Sequence, residues 1–361
     1  MTLSLREAAG SLLVVGLSGT ELTGLERAWL RLLRPAGIIL FRRNIADAQQ
    51  TRALLDEATA FSSAAALRCV DIEGGTVDRL RDAVASMPSA QAVARGGQPA
   101  LMRQHGELIA QEARAFGFNT TLAPVLDLAL PESAGVMGTR AAATTAEGVV
   151  QYAREFLAGL AAHGVVGCGK HFPGLGGGML DSHHETPEIH RAWADLWRHD
   201  LVPYRELAAE LPMIMVNHAA YPETRGGNRP ATASPFWITT ILQKKINYCG
   251  LIFSDDMEMG GILKHLPMEE AAIAAIRAGI HIMEICHSPE LILICYESLI
   301  REAERSAGVR RLLLGRAVTA QQLRNARFSH AAAPPLSSSE LASLRERVLR
   351  FTENVEASSP A

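Results

Sequence analysis

Eight short apolar runs punctuate the chain, and each is separated from the next by enough residues for a helix. They are Leu12–Gly16, Gly37–Phe41, Arg68–Ile72, Thr120–Ala123, Val165–Lys170, Met213–Asn217, Leu251–Ser254 and Ile280–Cys286. Short apolar runs bounded by turn formers read as strands buried on both faces. Gaps this wide let a crossover helix return the chain to lay down a parallel neighbour. The spacers carry helical signals. Thr144 with Glu147 predicts a capping box before Val149, Val150, Ala153, Phe156, Leu157 and Leu160, and Gly164 suits the stop. Leu101, Leu108, Ile109, Ala113 and Phe116 repeat in the same way before Gly117, and Ser234-Pro235 reads as an N-cap with proline at the first helical position. Met268–Ala278 and Pro289–Arg305 read as the last two crossover helices.

Eight β/α repeats without a break in composition predict an α/β chain with one closed (β/α)8 TIM-type barrel over residues 1–330. A doubly wound sheet is the structural alternative, but the first strand lacks the GxGxxG turn. Residues 331–361 are expected to form a C-terminal extension. Pro334 to Glu340 read as linker and helix start, Leu341–Phe351 as a charged amphipathic helix packed outside the barrel, and Glu356–Ala361 as a frayed tail.

Composition excludes several functions. The net charge of -3, with acid and base interspersed, leaves no basic stripe for nucleic acid. The five cysteines are odd in number and lack CxxC spacing, which predicts buried free thiols in a reducing compartment. An acidic residue, Glu7, stands where a signal peptide wants basic ones, and the run from Leu12 to Leu17 is short. No segment approaches the roughly 20 apolar residues of a membrane span. A cytoplasmic protein without membrane partners is expected.

In such a barrel the chemistry sits at the C-terminal ends of the strands, and four of those ends carry polar residues. Strand three ends in Asp71-Ile72-Glu73-Gly74-Gly75 and strand five in Lys170-His171. Strand six ends in Asn217-His218 and strand seven in Ser254-Asp255-Asp256. Each has a plain reading as well: a tight turn at Asp71 and Glu73, a solvated Lys170-His171, a helix cap at Asp255-Asp256. Four polar ends converging on one mouth favour a pocket. His184, His218 and Glu185 are read as structural.

From Lys170 to Glu185 the chain packs an amine, three imidazoles and two carboxylates around four glycines. That composition predicts a mobile loop, irregular from Lys170 onward, leaving the fifth strand. Asp181 could be a turn residue and His183 an ordinary surface histidine. Being two apart, however, they face the same way in extended backbone. A carboxylate beside an imidazole fixes its tautomer and favours its cation. Such a histidine can give a proton to a leaving group and recover one from water, which is worth about 10²–10⁴ in rate. A partner is needed across the scissile bond, and Asp255 at a rigid strand end is the best candidate nucleophile.

On these residues the chain resembles glycoside hydrolase family 3, specifically its single-domain bacterial β-N-acetylglucosaminidases, over about residues 10–300. The segments are Asp71-Ile72-Glu73-Gly74-Gly75 with Val77 and Arg79, Gly138-Thr139-Arg140, Lys170 to His183 with its Asp-Ser-His ending, and Ile252-Phe253-Ser254-Asp255-Asp256-Met257. The resemblance implies a retaining hydrolase that releases terminal β-linked N-acetylglucosamine by double displacement, with muropeptide fragments of cell-wall recycling as the suggested substrates. It assigns Asp255 as nucleophile, His183 as acid/base delivered by the closing loop, and Asp181 as the partner of that histidine. Asp71, Arg79, Arg140, Lys170 and His171 match positions that hold the sugar, and no metal or organic cofactor is implied.

The chain also departs from the family pattern. Leu175 stands where many members have a second histidine, and Gly176 to Leu180 are more apolar and glycine-rich than usual. In the eighth strand His281 and Glu284 stand where the family usually has an aspartate and an aliphatic residue; buried there, both would need partners. The alternatives are a β-glycoside phosphorylase, a β-glucosidase of the same fold, and substrate-assisted hydrolysis through Asp255-Asp256. Further off lie a metal-dependent hydrolase built on His171, Asp181, His183 and Asp255, and an inactive sugar-binding barrel.

Overall fold

The computed structural model describes residues 3–62, 65–177, 186–328 and 334–358. Eight strands, β1 (Leu13–Gly16), β2 (Gly37–Leu40), β3 (Leu67–Val70), β4 (Thr120–Thr121), β5 (Val166–Phe172), β6 (Met213–Val216), β7 (Leu251–Asp256) and β8 (Ile282–Ile285), close into a barrel. Their order around the barrel is their order in the chain, and every pairing is parallel. This is the expected (β/α)8 architecture. Val14 of β1 sits opposite Gly37 on one side and Glu284 on the other, where first and last strands meet.

The core lies in two shells, the barrel interior and the layer between strands and helices. Helices Pro99–Ala115 and Ala146–Ala162 pack unusually close. A Cβ at Gly106 would stand 2.2 Å from the Phe156 carbonyl oxygen, so only glycine permits that approach. At the other end of the strands, helix Ala307–Phe328 inserts the buried Arg324, which donates to the carbonyls of Ala36 and Ala65 beneath β2 and β3. No helix among the described residues is long and apolar enough to cross a membrane.

Several local expectations are corrected. The strand β5 continues through Lys170 and His171 to Phe172 instead of breaking at Lys170. The third run divides: β3 stops at Val70, and Ile72–Gly74 turns back to pair antiparallel with Val77–Asp78. Thr121 holds that break, its hydroxyl accepting from the Ile72 N–H and donating to the Ile72 carbonyl. The helix cap is Thr145, which accepts from the Gly148 N–H, rather than Thr144. After Ser234-Pro235 the helix begins at Phe236 and is wound with π-type hydrogen bonds, without a side-chain cap from Ser234. The C-terminal helix is longer than expected, Ser338–Ala357. Ser337 and Glu340 close a capping box, and Leu344, Val348, Phe351 and Val355 are its buried stripe.

Candidate active site

A cavity of about 480 Å³ opens at the C-terminal ends of the strands, and six side chains singled out from sequence line it: Asp71, Arg79, Arg140, Lys170, His171 and Asp255. Ile39, Leu122 and Met215 supply an apolar floor from within the barrel, and Glu284 lines the cavity from β8. Phe41, with His287 packed against it at 5.2 Å between ring centroids, stands at the rim, and Arg43 and Arg79 lie over the Phe41 ring.

The barrel register brings charges together that are far apart in the chain. Lys170 Nζ lies 2.9 Å from Asp71 Oδ1 and 2.6 Å from Glu73 Oε1. Arg140 grips Glu73 with both prongs, Nε to Oε2 at 2.8 Å and Nη2 to Oε1 at 2.9 Å, the planar match a guanidinium makes with a carboxylate. Burial alone would raise the Glu73 carboxyl, but Arg140 and Lys170 outweigh it and hold the group well below the usual carboxylate range. Burial likewise works against the Lys170 cation, and Asp71 and Glu73 overcome it, so the ammonium stays charged. Arg79 approaches the other oxygen of Asp71 at 3.7 Å. Glu73 is therefore consumed by its neighbours, whereas Asp71, Arg79 and Lys170 keep polar faces on the cavity.

His171 is held from behind. Its Nδ1–H donates to Asp127 Oδ2 at 2.6 Å, and its backbone N–H reaches the same oxygen. The opposite nitrogen, Nε2, lies 3.4 Å from Arg140 Nη2. A guanidinium only donates, so a tautomer with the proton on Nδ1 satisfies both contacts. The second oxygen of Asp127 accepts from the Leu175 N–H at 2.6 Å, which ties the base of the glycine-rich segment to the same carboxylate. There a Cβ on Gly176 would sit 2.8 Å from the Leu128 carbonyl oxygen, which keeps that approach for glycine. Thr186 Oγ1 donates to the Gly261 carbonyl at 2.8 Å, and just beyond it the Ile189 N–H donates to the Ala220 carbonyl while the Ala220 N–H donates to the Pro187 carbonyl.

Asp255 ends β7 with one oxygen accepting from the Asp256 N–H at 3.0 Å; no other hydrogen bond from the described residues reaches its carboxylate. Burial would raise it, yet the imidazoles of His171 and His218, the Asp256 N–H and Lys170 together hold it below the ordinary carboxylate range. His218 is wholly buried, with Nε2 against the Asp256 carbonyl at 3.0 Å and Nδ1 against Thr232 Oγ1 at 2.8 Å, a structural placement as anticipated. Asp256 differs from its neighbour. Burial, then the Glu258 charge, pushes its carboxyl up to about 7.

Among the described residues one group has metal-ligand geometry: ligand atoms of Asp256, Glu258 and His287 lie within 4.8 Å of one another. The Glu258 carboxylate, however, already accepts the N–H groups of Cys286, His287 and Ser288, and Asp256 Oδ1 accepts from the Glu258 N–H. Those lone pairs organise the turn out of β8.

Asp181 and His183 lie outside the described residues. The two unusual residues of the eighth strand separate. His281 Nδ1 accepts from the Ile252 N–H at 3.2 Å, and burial together with Arg316 keeps the ring neutral, its pKa pushed down to about 3. Glu284 Oε1 is buried without a hydrogen-bond partner among the described residues. Sequence reasoning missed Asp127, whose signal was a lone carboxylate in the apolar stretch Leu126 to Leu130, and it did not count Glu73 or Glu284 in the site.

A parallel barrel whose mouth collects carboxylates, a lysine, arginines and an imidazole defines a class of barrel enzyme acting on a polar substrate. The comparisons name the class more closely. A family model described as Glycosyl hydrolase family 3 N terminal domain matches residues 4–312. A beta-hexosaminidase of Alkalilimnicola ehrlichii is 38% identical over 287 residues, covering 78% of this chain and 82% of the relative. The structure of a glycoside hydrolase family 3 beta-N-acetylglucosaminidase from Paenibacillus superposes with a TM-score of 0.86 at 31% identity, covering 97% of this chain and 69% of that one. NagZ from Neisseria gonorrhoeae, in complex with N-trifluoroacetyl-D-glucosamine, gives 0.77 at 29% identity, covering 96% and 98%. The chain belongs to glycosyl hydrolase family 3 and is a glycosidase.

Proposed function

We propose that the protein is a retaining β-N-acetylhexosaminidase that removes terminal N-acetylglucosamine from the non-reducing end of its substrates. The observation that carries this reading is the position of Asp255: an ionised carboxylate at a strand end, in one cavity with the Asp71, Lys170, Arg140 and His171 cluster. Asp71, Arg79 and Lys170 bind the sugar hydroxyls, Arg140 and His171 complete the wall, and the sugar's anomeric carbon faces Asp255. The carboxylate attacks that carbon while His183, oriented by Asp181, protonates the departing oxygen. Water then gives its proton to His183 and its oxygen to the anomeric carbon, which frees Asp255.

The segment that carries Asp181 and His183 is anchored beside the mouth at both ends, at Leu175 and at Thr186. The names of the relatives and the acylated glucosamine in the Neisseria structure support the sugar. Muropeptide fragments in the cytoplasm are the substrates we favour, and buried thiols at Cys69, Cys168, Cys286 and Cys295 agree with a reducing compartment.

The test is hydrolysis of paired chromogenic β-N-acetylglucosaminide and β-glucoside substrates by the parent and by Asp255→Asn, with and without phosphate. The acetamido sugar should be preferred, phosphate should change nothing in the products, and the variant should lose at least about 10³ in kcat. A 2-fluoro sugar should trap a covalent adduct on Asp255. Turnover retained in Asp255→Asn, or a sugar phosphate as product, overturns the reading.

A further inference from the structure

Glu284 is a buried carboxyl in the cavity to which the mechanism gives no work. It lies in β8, 3% exposed, opposite Asp256 of β7 and Val14 of β1. Its backbone is fully employed, the N–H donating to Ser254 Oγ at 3.0 Å and the carbonyl accepting from the Met257 N–H at 2.8 Å. Its carboxyl makes no hydrogen bond among the described residues, and Oε1 is enclosed. Yet the residue lines the cavity. The floor around it is apolar, made by Ile39, Leu122 and Met215. A buried carboxyl with no partner is costly, and a structural role would show a partner. The missing partner therefore has to come from what fills the cavity.

We propose that Glu284 is a specificity-determining residue that presents its carboxyl from the floor of the cavity to one polar substituent of the bound sugar. The inference rests on the reading of this cavity as the sugar site. Burial first, then the charges of Asp71, Asp256 and Asp255, drive the Glu284 carboxyl well above the ordinary range, so it enters the site as a neutral acid. A neutral carboxylic acid both donates and accepts. It can therefore match a hydroxyl, the one chemistry a sugar presents on every face, without adding charge beside the Asp255 nucleophile. The walls around Asp71 and Glu73 are ionic: Asp71 is paired with Lys170 and Arg79, and Glu73 with Arg140 and Lys170. Glu284 supplies the neutral contact those walls lack. A site built to hydrogen-bond one substituent rejects the analogue without it, because the site's polar group is then left unpaired.

The test is a cycle between protein and ligand. The parent, Glu284→Leu and Glu284→Gln are assayed with p-nitrophenyl N-acetyl-β-D-glucosaminide, its 3-, 4- and 6-deoxy derivatives, and the 2-hydroxy analogue. Glu284→Leu should lower kcat/KM for the full sugar about tenfold. One of the four analogues should cost the parent a similar factor and cost Glu284→Leu almost nothing further, the signature of a lost contact. Glu284→Gln, which keeps a donor and an acceptor, should recover most of the loss and the coupling. Glu284→Leu should also unfold at a higher temperature than the parent, since it removes an unpaired buried carboxyl; a purely structural group would move stability alone. Should Glu284→Leu not fold, Glu284→Met carries the same cycle. Equal penalties for all four analogues in parent and variant overturn the proposal. If that happens while Asp255→Asn is inactive, only the role of Glu284 fails; if Asp255→Asn still turns over, the reading of the cavity itself fails.

Discussion

The charge cluster lining the cavity makes its sharpest prediction at Glu73. The carboxylate is 2% exposed and holds three contacts, two from Arg140 and one from Lys170. Replacing it by glutamine keeps the shape and removes the charge between two cations. Breaking a buried ion pair by removing one partner costs about 3–5 kcal/mol, because the other charge is left uncompensated. Lys170 is 4% exposed but still has Asp71 at 2.9 Å, and Arg140, 20% exposed, is partly screened by solvent. The lower end, about 3 kcal/mol, is therefore the expectation. For a chain this long that lowers Tm by about 4 °C. Urea denaturation should show the same loss as a shift of midpoint with an unchanged slope. The pH dependence has a fixed sign. Because the folded carboxyl is held below its ordinary value, its stabilisation is full above about pH 4.5 and fades as pH falls further. The gap between parent and Glu73→Gln should therefore narrow in acid. Lys170→Met should be non-additive with Glu73→Gln, since each removes half of one contact. A variant with the parental midpoint at pH 7, or strict additivity, would refute the account of the cluster.

Three further outcomes follow from the same geometry. Asp127→Asn should lower kcat/KM about tenfold or more with a small change in Tm, because one carboxylate orients both the His171 ring and the Leu175 N–H; parental kinetics would sink that role. Asp256, pushed up to about 7 by burial and then Glu258, stabilises the fold below its ordinary value and loses that contribution as pH rises through 7, so Asp256→Asn should gain on the parent in urea midpoint between pH 4 and 8. A pH-independent difference would show that Asp256 does not titrate in this range. Gly106→Ala should cost about 3 kcal/mol, since its Cβ would stand 2.2 Å from the Phe156 carbonyl oxygen and two helices must part; an unchanged midpoint would contradict that packing.

The fold was legible because parallel strands buried on both faces leave continuous apolar runs, and all eight runs are barrel strands. What escaped was shorter than such a signal. The hairpin after Val70 pairs only three residues with two. The site was legible where a polar residue ended a strand, as at Asp71, Lys170, His171 and Asp255. It was illegible where the meaning lay in a partner. Glu73 and Arg140 are 67 residues apart, Lys170 and Asp71 99, and His171 and Asp127 44. A lone carboxylate in an apolar stretch is all that marks Asp127 locally, because its job is defined by an imidazole that arrives one strand later.

Hydrogen-bond capacity sorts the carboxyls of the mouth more sharply than burial does. Glu73, Asp127 and Glu258 are each filled by protein donors, and each fixes a neighbour: Arg140 with Lys170, His171 with Leu175, and the turn out of β8. Asp255 and Glu284 line the same cavity with capacity left over. Burial would raise both, so their neighbours divide them. The imidazoles of His171 and His218, the Asp256 N–H and Lys170 hold Asp255 below its ordinary range, while the charges of Asp71, Asp256 and Asp255 add to burial in raising Glu284. An anion suits attack on a carbon that gains positive charge, and a neutral acid suits recognition of a hydroxyl that gains none. Under the proposed mechanism, exchanging the two settings would damage both tasks, because an ionised Glu284 would raise the Asp255 carboxyl to which it is coupled. Asp255 and Glu284 stand on the adjacent strands β7 and β8, so one cavity holds two carboxyls that their neighbours move in opposite directions from the ordinary range.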